Sequence, residues 1–137
     1  MRQLHNKRPS FLADAMLGSV ARKLRIFGFD TLYTASLRDD IILKIAAEQN
    51  RIILTCDRDL FKRILKKGLT GVLLNTNSDI ENIAHILVKN GICTLEFDQE
   101  CSRCAKCNGL LIKKTRDDVP AHFIQLASLV SQEQFYQ

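Results

Sequence analysis

The stretch "RIILTCDRDLFKR" (residues 51–63) runs four apolar or β-branched residues into Asp57 and Asp59. Asp14 closes "SFLAD", and Asp39 and Asp40 follow "FDTLYTASLR". Each acidic position stands where an apolar run gives way to a helix-like pattern. Carboxylates brought together repel, and a divalent cation relieves that repulsion. Mg²⁺ and Mn²⁺ favour carboxylate oxygens and water. Held against a phosphodiester, such an ion activates water and stabilises the leaving oxygen. A plainer role competes at every position, because Asp is also a favoured helix N-cap and suits the first helical turn. Thr55 can hydrogen-bond a carboxylate or a metal-bound water, or serve only as a β-branched strand residue. Cys56 reads as a small residue packed beside the acids. A thiol nucleophile would want a histidine nearby, and His5, His85 and His122 show no pairing pattern. His85 is expected to be a partly buried packing residue.

The elements that must position these acids follow from periodicity. Ser10–Asp14 reads as a buried strand. Met16, Leu17, Val20, Ala21, Leu24 and Phe27 then recur at helical spacing, and Gly28 fits a helix stop. "FDTLYTA", "RIILT" and "GVLLNT" read as further strands. The intervening helices are Ile41–Asn50, with Ile42, Leu43, Ala46 and Ala47 as its stripe, and Asp57–Lys67, ended by Gly68. A last helix opens on a capping box of Ser78 and Glu81 and closes at Gly91. The order βαβαβαβα over Ser10–Gly91 predicts an α/β fold, a parallel sheet with helices on both faces. Strand C-termini of such a sheet share one edge, where these folds build their sites. The topology therefore predicts that Asp14, Asp39, Asp40, Asp57 and Asp59 gather on one rim.

Composition narrows the class. The chain has 137 residues, 46% hydrophobic and 26% charged, the profile of an ordinary globular protein. No apolar run approaches the roughly 18 residues of a membrane span. "MRQLHNKRPSFLADAM" lacks the long apolar centre of a signal peptide, so a cytoplasmic protein with no membrane association is expected. The net charge of +5 favours an anionic partner such as nucleic acid. Arg22 and Arg25 lie off the apolar stripe of the helix that follows Asp14 and are candidate phosphate contacts. Lys62, Arg63, Lys66 and Lys67 read as the solvated face of their helix.

After Gly91 the pattern changes. A boundary near Gln99 separates residues 1–98 from a tail of residues 99–137, in which Ala121–Gln137 has helical periodicity. Three of the five cysteines, Cys101, Cys104 and Cys107, fall within seven residues. In a cytosolic protein that clustering suggests metal before disulfide. Structural zinc takes four ligands. His122 is one candidate fourth; the spacing also partly matches iron–sulfur sites, though a fourth cysteine is not evident. Cys93 reads as a packed residue.

"FLADAMLGSVARKLRIFGFDTLY", "RDDIILKIAAEQNRIILTCDRDL" and "CSRCAKCNG" together resemble the Mut-seven C-terminal ribonuclease domain, a branch of the PIN-like nuclease superfamily. The resemblance runs from about Phe11 to Gly109. It implies a PIN-like three-layer α/β/α sandwich and a metal-dependent ribonuclease acting on RNA, with clustered aspartates binding Mg²⁺ or Mn²⁺. Asp14 matches the acid ending the first strand. Asp39 matches the acid before the second helix, with Asp40 beside it. Asp57 and Asp59 match the T-x-D-x-D pattern, and Arg22 and Arg25 fall on the "LAR-x-LR" helix. Lys23 stands where that pattern has an aromatic residue, and Cys56 where it has arginine. The tail is similar to a zinc ribbon with its first C-x-x-C, Cys104 and Cys107, but the second pair is absent, so a truncated or degenerate ribbon is expected.

The leading expectation is thus a metal-dependent endoribonuclease leaving 5′-phosphate and 3′-hydroxyl ends. A non-catalytic nucleic-acid-binding module is the alternative. A phosphoacceptor domain using Asp57 is a third reading, at odds with the placement of the paired acids after strand two.

Overall fold

The computed structural model describes residues 8–75, 77–92, 101–111, 113–115 and 134–136. Strands β1 (Phe11–Ala13), β2 (Thr31–Tyr33), β3 (Ile52–Thr55) and β4 (Gly71–Leu73) form a parallel sheet in the order β2-β1-β3-β4. Helices α1 (Gly18–Ile26), α2 (Asp39–Gln49), α3 (Arg58–Lys66) and α4 (Asp79–Lys89) alternate with them. The expected α/β architecture is present.

Alternation along the central strands builds a core on each face. Phe11, Ala13 and Leu54 pack with Val20, Ala21 and Leu24 of α1 and Ile83, Ile86 and Leu87 of α4. Leu12 and Ile53 pack with Ile42, Leu43 and Ala46 of α2 and Leu60 and Ile64 of α3. The strands are short, three or four residues, and almost wholly buried in the centre. This explains their continuous apolar reading, since a two-sided core removes the polar face.

The chain leaves β1 for β2 on one side and then crosses back to β3 on the other. β1 and β3 are therefore the switch point of the sheet, with α1 and α3 departing to opposite faces. Open parallel sheets bind their ligands at such a point, beyond the strand C-termini.

Some local expectations shift. Met16 belongs to the buried stripe by its spacing, yet it is 81% exposed. Residues Ala15–Leu17 form a 3-10 turn, so the α-helical phase begins only at Gly18. His85 is exposed rather than packed. No helix among the described residues is long and apolar enough to cross a membrane.

The loop at residues 101–111 docks at the opposite, N-terminal end of the sheet. Arg103 N–H donates to the Arg25 carbonyl, and Ser102 Oγ donates to the Ile26 carbonyl at 2.6 Å. The Asn108 side chain accepts from Thr31 N–H and donates to Asp30. Gly28, at φ +92°, sits beneath this loop; a Cβ there would lie 2.7 Å from Arg8 Nη1 and 2.8 Å from the Cys101 carbonyl oxygen. Further on, β5 (Lys113–Thr115) pairs antiparallel with β6 (Gln134–Tyr136). The end of the helix expected over Ala121–Gln137 is thus a strand, because its backbone groups bond across to β5. The rest of that stretch, His122 included, and Cys93 lie outside the described residues.

Candidate active site

Thr55 is the last residue of β3 and is fully buried. Its hydroxyl donates to Asp14 Oδ2 at 2.9 Å and accepts from Asp57 N–H at 3.0 Å. Strand register makes this possible: Ala13 is paired with Leu54, so the next residues, Asp14 and Thr55, emerge side by side. Asp14 N–H also donates to the Leu54 carbonyl at 2.9 Å. One hydroxyl thereby ties the ends of the two central strands together at the switch point.

Both aspartates are helix caps as well. Asp14 Oδ1 accepts from Ala15 N–H at 2.7 Å. Asp57 Oδ1 accepts from Asp59 N–H at 2.8 Å and Leu60 N–H at 3.3 Å, capping α3. Capping and cation binding are compatible here, because each carboxylate oxygen has two lone pairs. The caps fix the rotamers, while oxygen lone pairs remain for a ligand. Asp59 is exposed in the first turn of α3, beside the positive end of the helix dipole.

The second pair of acids is engaged differently. Asp39, first residue of α2, lies 3.6 Å from Arg63 Nη1 of α3. Asp40 takes a two-pronged hydrogen bond from Arg38, at 3.1 Å and 2.9 Å. That hydrogen bond, with the Arg38 charge behind it, holds the Asp40 carboxyl below its ordinary pKa.

Among the described residues, no group of three or more His, Cys, Asp or Glu side chains is gathered closely enough to hold a metal. The donors at the switch point nevertheless suit a hard cation in kind. Mg²⁺ commonly binds through one or two carboxylates and keeps several waters, taking further oxygens from a phosphate. Asp14 and Asp57 supply carboxylate oxygens of that kind, at the ends of adjacent strands. The same absence covers Cys101, Cys104 and Cys107, so a structural zinc site would need ligands from outside the described residues.

The remaining predicted residues divide. Arg22 is exposed on α1, and its Nη1 lies 3.5 Å from where a Gly18 Cβ would sit. The guanidinium therefore folds back toward the turn that follows Asp14. Arg25 does not join it. Its side chain is 5% exposed, with Nε donating to the Thr31 carbonyl and Nη1 to the Ala105 carbonyl, each at 2.8 Å. It clamps the cysteine loop to β2 at the other end of the sheet. There the Cys104 thiol is drawn below its ordinary pKa, first by Cys107 and Lys106 N–H groups and then by the Cys107 side chain.

Cys56 sits by the acids but is exposed rather than packed. Partial desolvation pushes its thiol pKa up, and the negative charge of Asp14 pushes it further. Such a thiol stays protonated near neutral pH, which argues against a nucleophile. Lys23 donates to Asp79 at 2.7 Å, joining α1 to α4. The Lys23 hydrogen bond and then that of Ser19 hold the Asp79 carboxyl low, and the Arg22 charge adds to this.

Sequence reasoning missed Lys44. It lines a cavity between α2 and α3 with Arg63 and Lys67. Asp40, Lys44 and Ala47 at i, i+4 and i+7 share one helix face, but the neighbouring helix cannot be read from that spacing.

Known proteins bear on this arrangement through one family. The family model of the Mut7-C RNAse domain matches residues 9–137. Neither the curated proteins nor the solved structures yield a match.

Proposed function

The chain belongs to the Mut7-C RNAse domain family, and from that premise we propose that it is a metal-dependent endoribonuclease with its site at the β1–β3 switch point. The observation that carries this reading is the Thr55 hydroxyl joining Asp14 to the Asp57 backbone. A buried hydroxyl spent on orienting a carboxylate at a sheet's ligand-binding edge is better explained by a site than by capping alone.

Asp14 and Asp57 would hold Mg²⁺ or Mn²⁺, with Asp39, Asp40 and Asp59 on the surrounding rim. A bound ion of this kind supplies Lewis acidity toward a phosphodiester oxygen and a nucleophilic water at neutral pH. The chain's own residues do the positioning. The Ala15 N–H and the Thr55 hydroxyl hold the two Asp14 oxygens, so the carboxylate does not rotate away. The Asp59 and Leu60 N–H groups orient Asp57, and the N-terminus of α3 favours its ionised form. Arg22, exposed beside the turn after Asp14, would meet an RNA phosphate.

Asp57→Asn is the decisive variant. Asn caps a helix about as well as Asp, so α3 and the melting temperature are expected to survive while cleavage of a labelled RNA with Mg²⁺ or Mn²⁺ is lost. Unchanged cleavage would reject the site.

The Asp39–Arg63 and Asp40–Arg38 pairs favour one alternative, an RNA-binding module without catalysis. Salt-sensitive RNA binding with no Mn²⁺-dependent cleavage by the wild-type protein would select it.

A further inference from the structure

We propose that the groove between α2 and α3 is the track along which single-stranded RNA reaches the candidate site, with Lys44, Arg63 and Lys67 gripping successive phosphates. The inference rests on the nuclease reading for its direction, but on separate residues for its geometry.

The groove is a cavity of about 230 Å³ floored by Leu43 and Leu69. Three cations and one acid, Asp40, stand on its walls. Asp40 is neutralised by Arg38. Lys44 and Lys67 are exposed, and neither has an ion-pair partner among the described residues. The walls thus present uncompensated positive charge over an apolar floor. Lys44 lies four residues beyond Asp40 on α2, and Lys67 four residues beyond Arg63 in the α3 direction, so the cations continue along both helices.

Arg63 links this groove to the candidate site. It lines the cavity and also lies 3.6 Å from Asp39, at the start of α2. Both helices begin at the strand C-termini, and Asp40 and Arg63 of the groove stand by the start of α2, on the side of the sheet edge that carries Asp14 and Asp57. A polyanion following the cations arrives at the carboxylates, where a bare negative chain would otherwise be repelled. The chemistry favours RNA backbone over base edges, because the lining has no aromatic platform and no amide to read a base. Binding through this groove is accordingly tolerant of sequence and steeply dependent on salt.

The test measures fluorescence anisotropy of a labelled single-stranded RNA oligonucleotide in EDTA, where no cleavage occurs, across a salt series. Neutralising both lysines (Lys44→Ala with Lys67→Ala) is expected to weaken binding at least tenfold. The slope of log K against log salt should become shallower by about 1.4, since each phosphate neutralised on a single strand contributes about 0.7. Lys89→Ala, on α4 across the sheet, is expected to bind as wild type. In Mg²⁺ or Mn²⁺ the double variant should raise KM and keep kcat. An unchanged salt slope with a wild-type melting curve overturns the groove, as does polyglutamate competing as well as RNA at equal charge. A wild-type protein that never cleaves, but whose salt slope falls in the double variant, removes the nuclease reading and leaves the groove standing. Intact cleavage with an unaltered slope does the reverse.

Discussion

Thr55 answers two demands at the scale of a single residue. Its methyl group is what a buried strand end needs, and its hydroxyl is what the two acids need. Thr55→Val keeps the branched shape but removes the hydrogen bonds to Asp14 Oδ2 and the Asp57 N–H, both only partly shielded from water, at a cost of about 1 kcal/mol. We expect a lower urea midpoint together with a loss of cleavage. Thr55→Ser restores the hydroxyl, so activity should return even though a methyl is lost. Equal activity in the Val and Ser variants would reject the positioning role. Cys56 makes the complementary point. Its thiol is held protonated by partial desolvation and by the Asp14 charge, so Cys56→Ala is expected to leave the pH profile of cleavage unchanged.

Helix and loop packing assigns the arginines. Arg22 and Arg25 sit three residues apart on α1, and the sequence offers no reason to separate them. The structure does, because α1 spans from the acidic edge to the opposite end of the sheet. Arg22 stays near the start, whereas Arg25 reaches the cysteine loop and satisfies two carbonyls there. Gly28 completes that junction. Gly28→Ala forces a left-handed conformation on a residue with a Cβ and drives it against Arg8 and the Cys101 carbonyl. A loss of about 1–3 kcal/mol is expected, read as a lower urea midpoint with unchanged cooperativity. RNA cleavage per folded molecule should persist, because the junction lies at the far end of the sheet from the acids.

The molecule as a whole separates its two ends, the candidate-site acids at the strand C-termini and a structural ion cluster at the N-termini. Asp30 is the hub of that cluster. Arg51 pairs with it at 2.8 Å, Asn108 donates at 2.7 Å, and Arg103 stands 4.0 Å away. Burial works to raise the Asp30 pKa, but the hydrogen bonds from Arg51 and Asn108 and the nearby arginine charges outweigh it and hold it low. A carboxylate whose folded pKa is depressed stabilises the fold above its unfolded value, about 3.9, and that contribution disappears as pH falls through the folded value. Asp30→Asn is therefore expected to lower the urea midpoint near neutral pH and to flatten its decline below about pH 4. Parallel pH curves for the variant and the wild type would contradict this.

The sequence by itself determined the four parallel strands, the four helices between and after them, their order and the caps. These depend on neighbours within about one helical turn: apolar period, Ser78 before Glu81, and glycine at a helix end. It also placed Asp14 and Asp57 on one edge, because a parallel sheet puts every strand C-terminus there. The identity of partners across space was not legible. That Asp39 meets Arg63, that Lys44 shares a groove with Lys67, and that Arg25 serves a loop some eighty residues away were decided only by which elements packed side by side. Met16 and the end of the chain depart from their local pattern for related reasons. A 3-10 turn shifted the helical phase at one, and pairing with a distant strand overrode local periodicity at the other. Local patterns encode backbone form, since that is settled among near neighbours; charge pairing is long-range, and the folded packing alone assigns it.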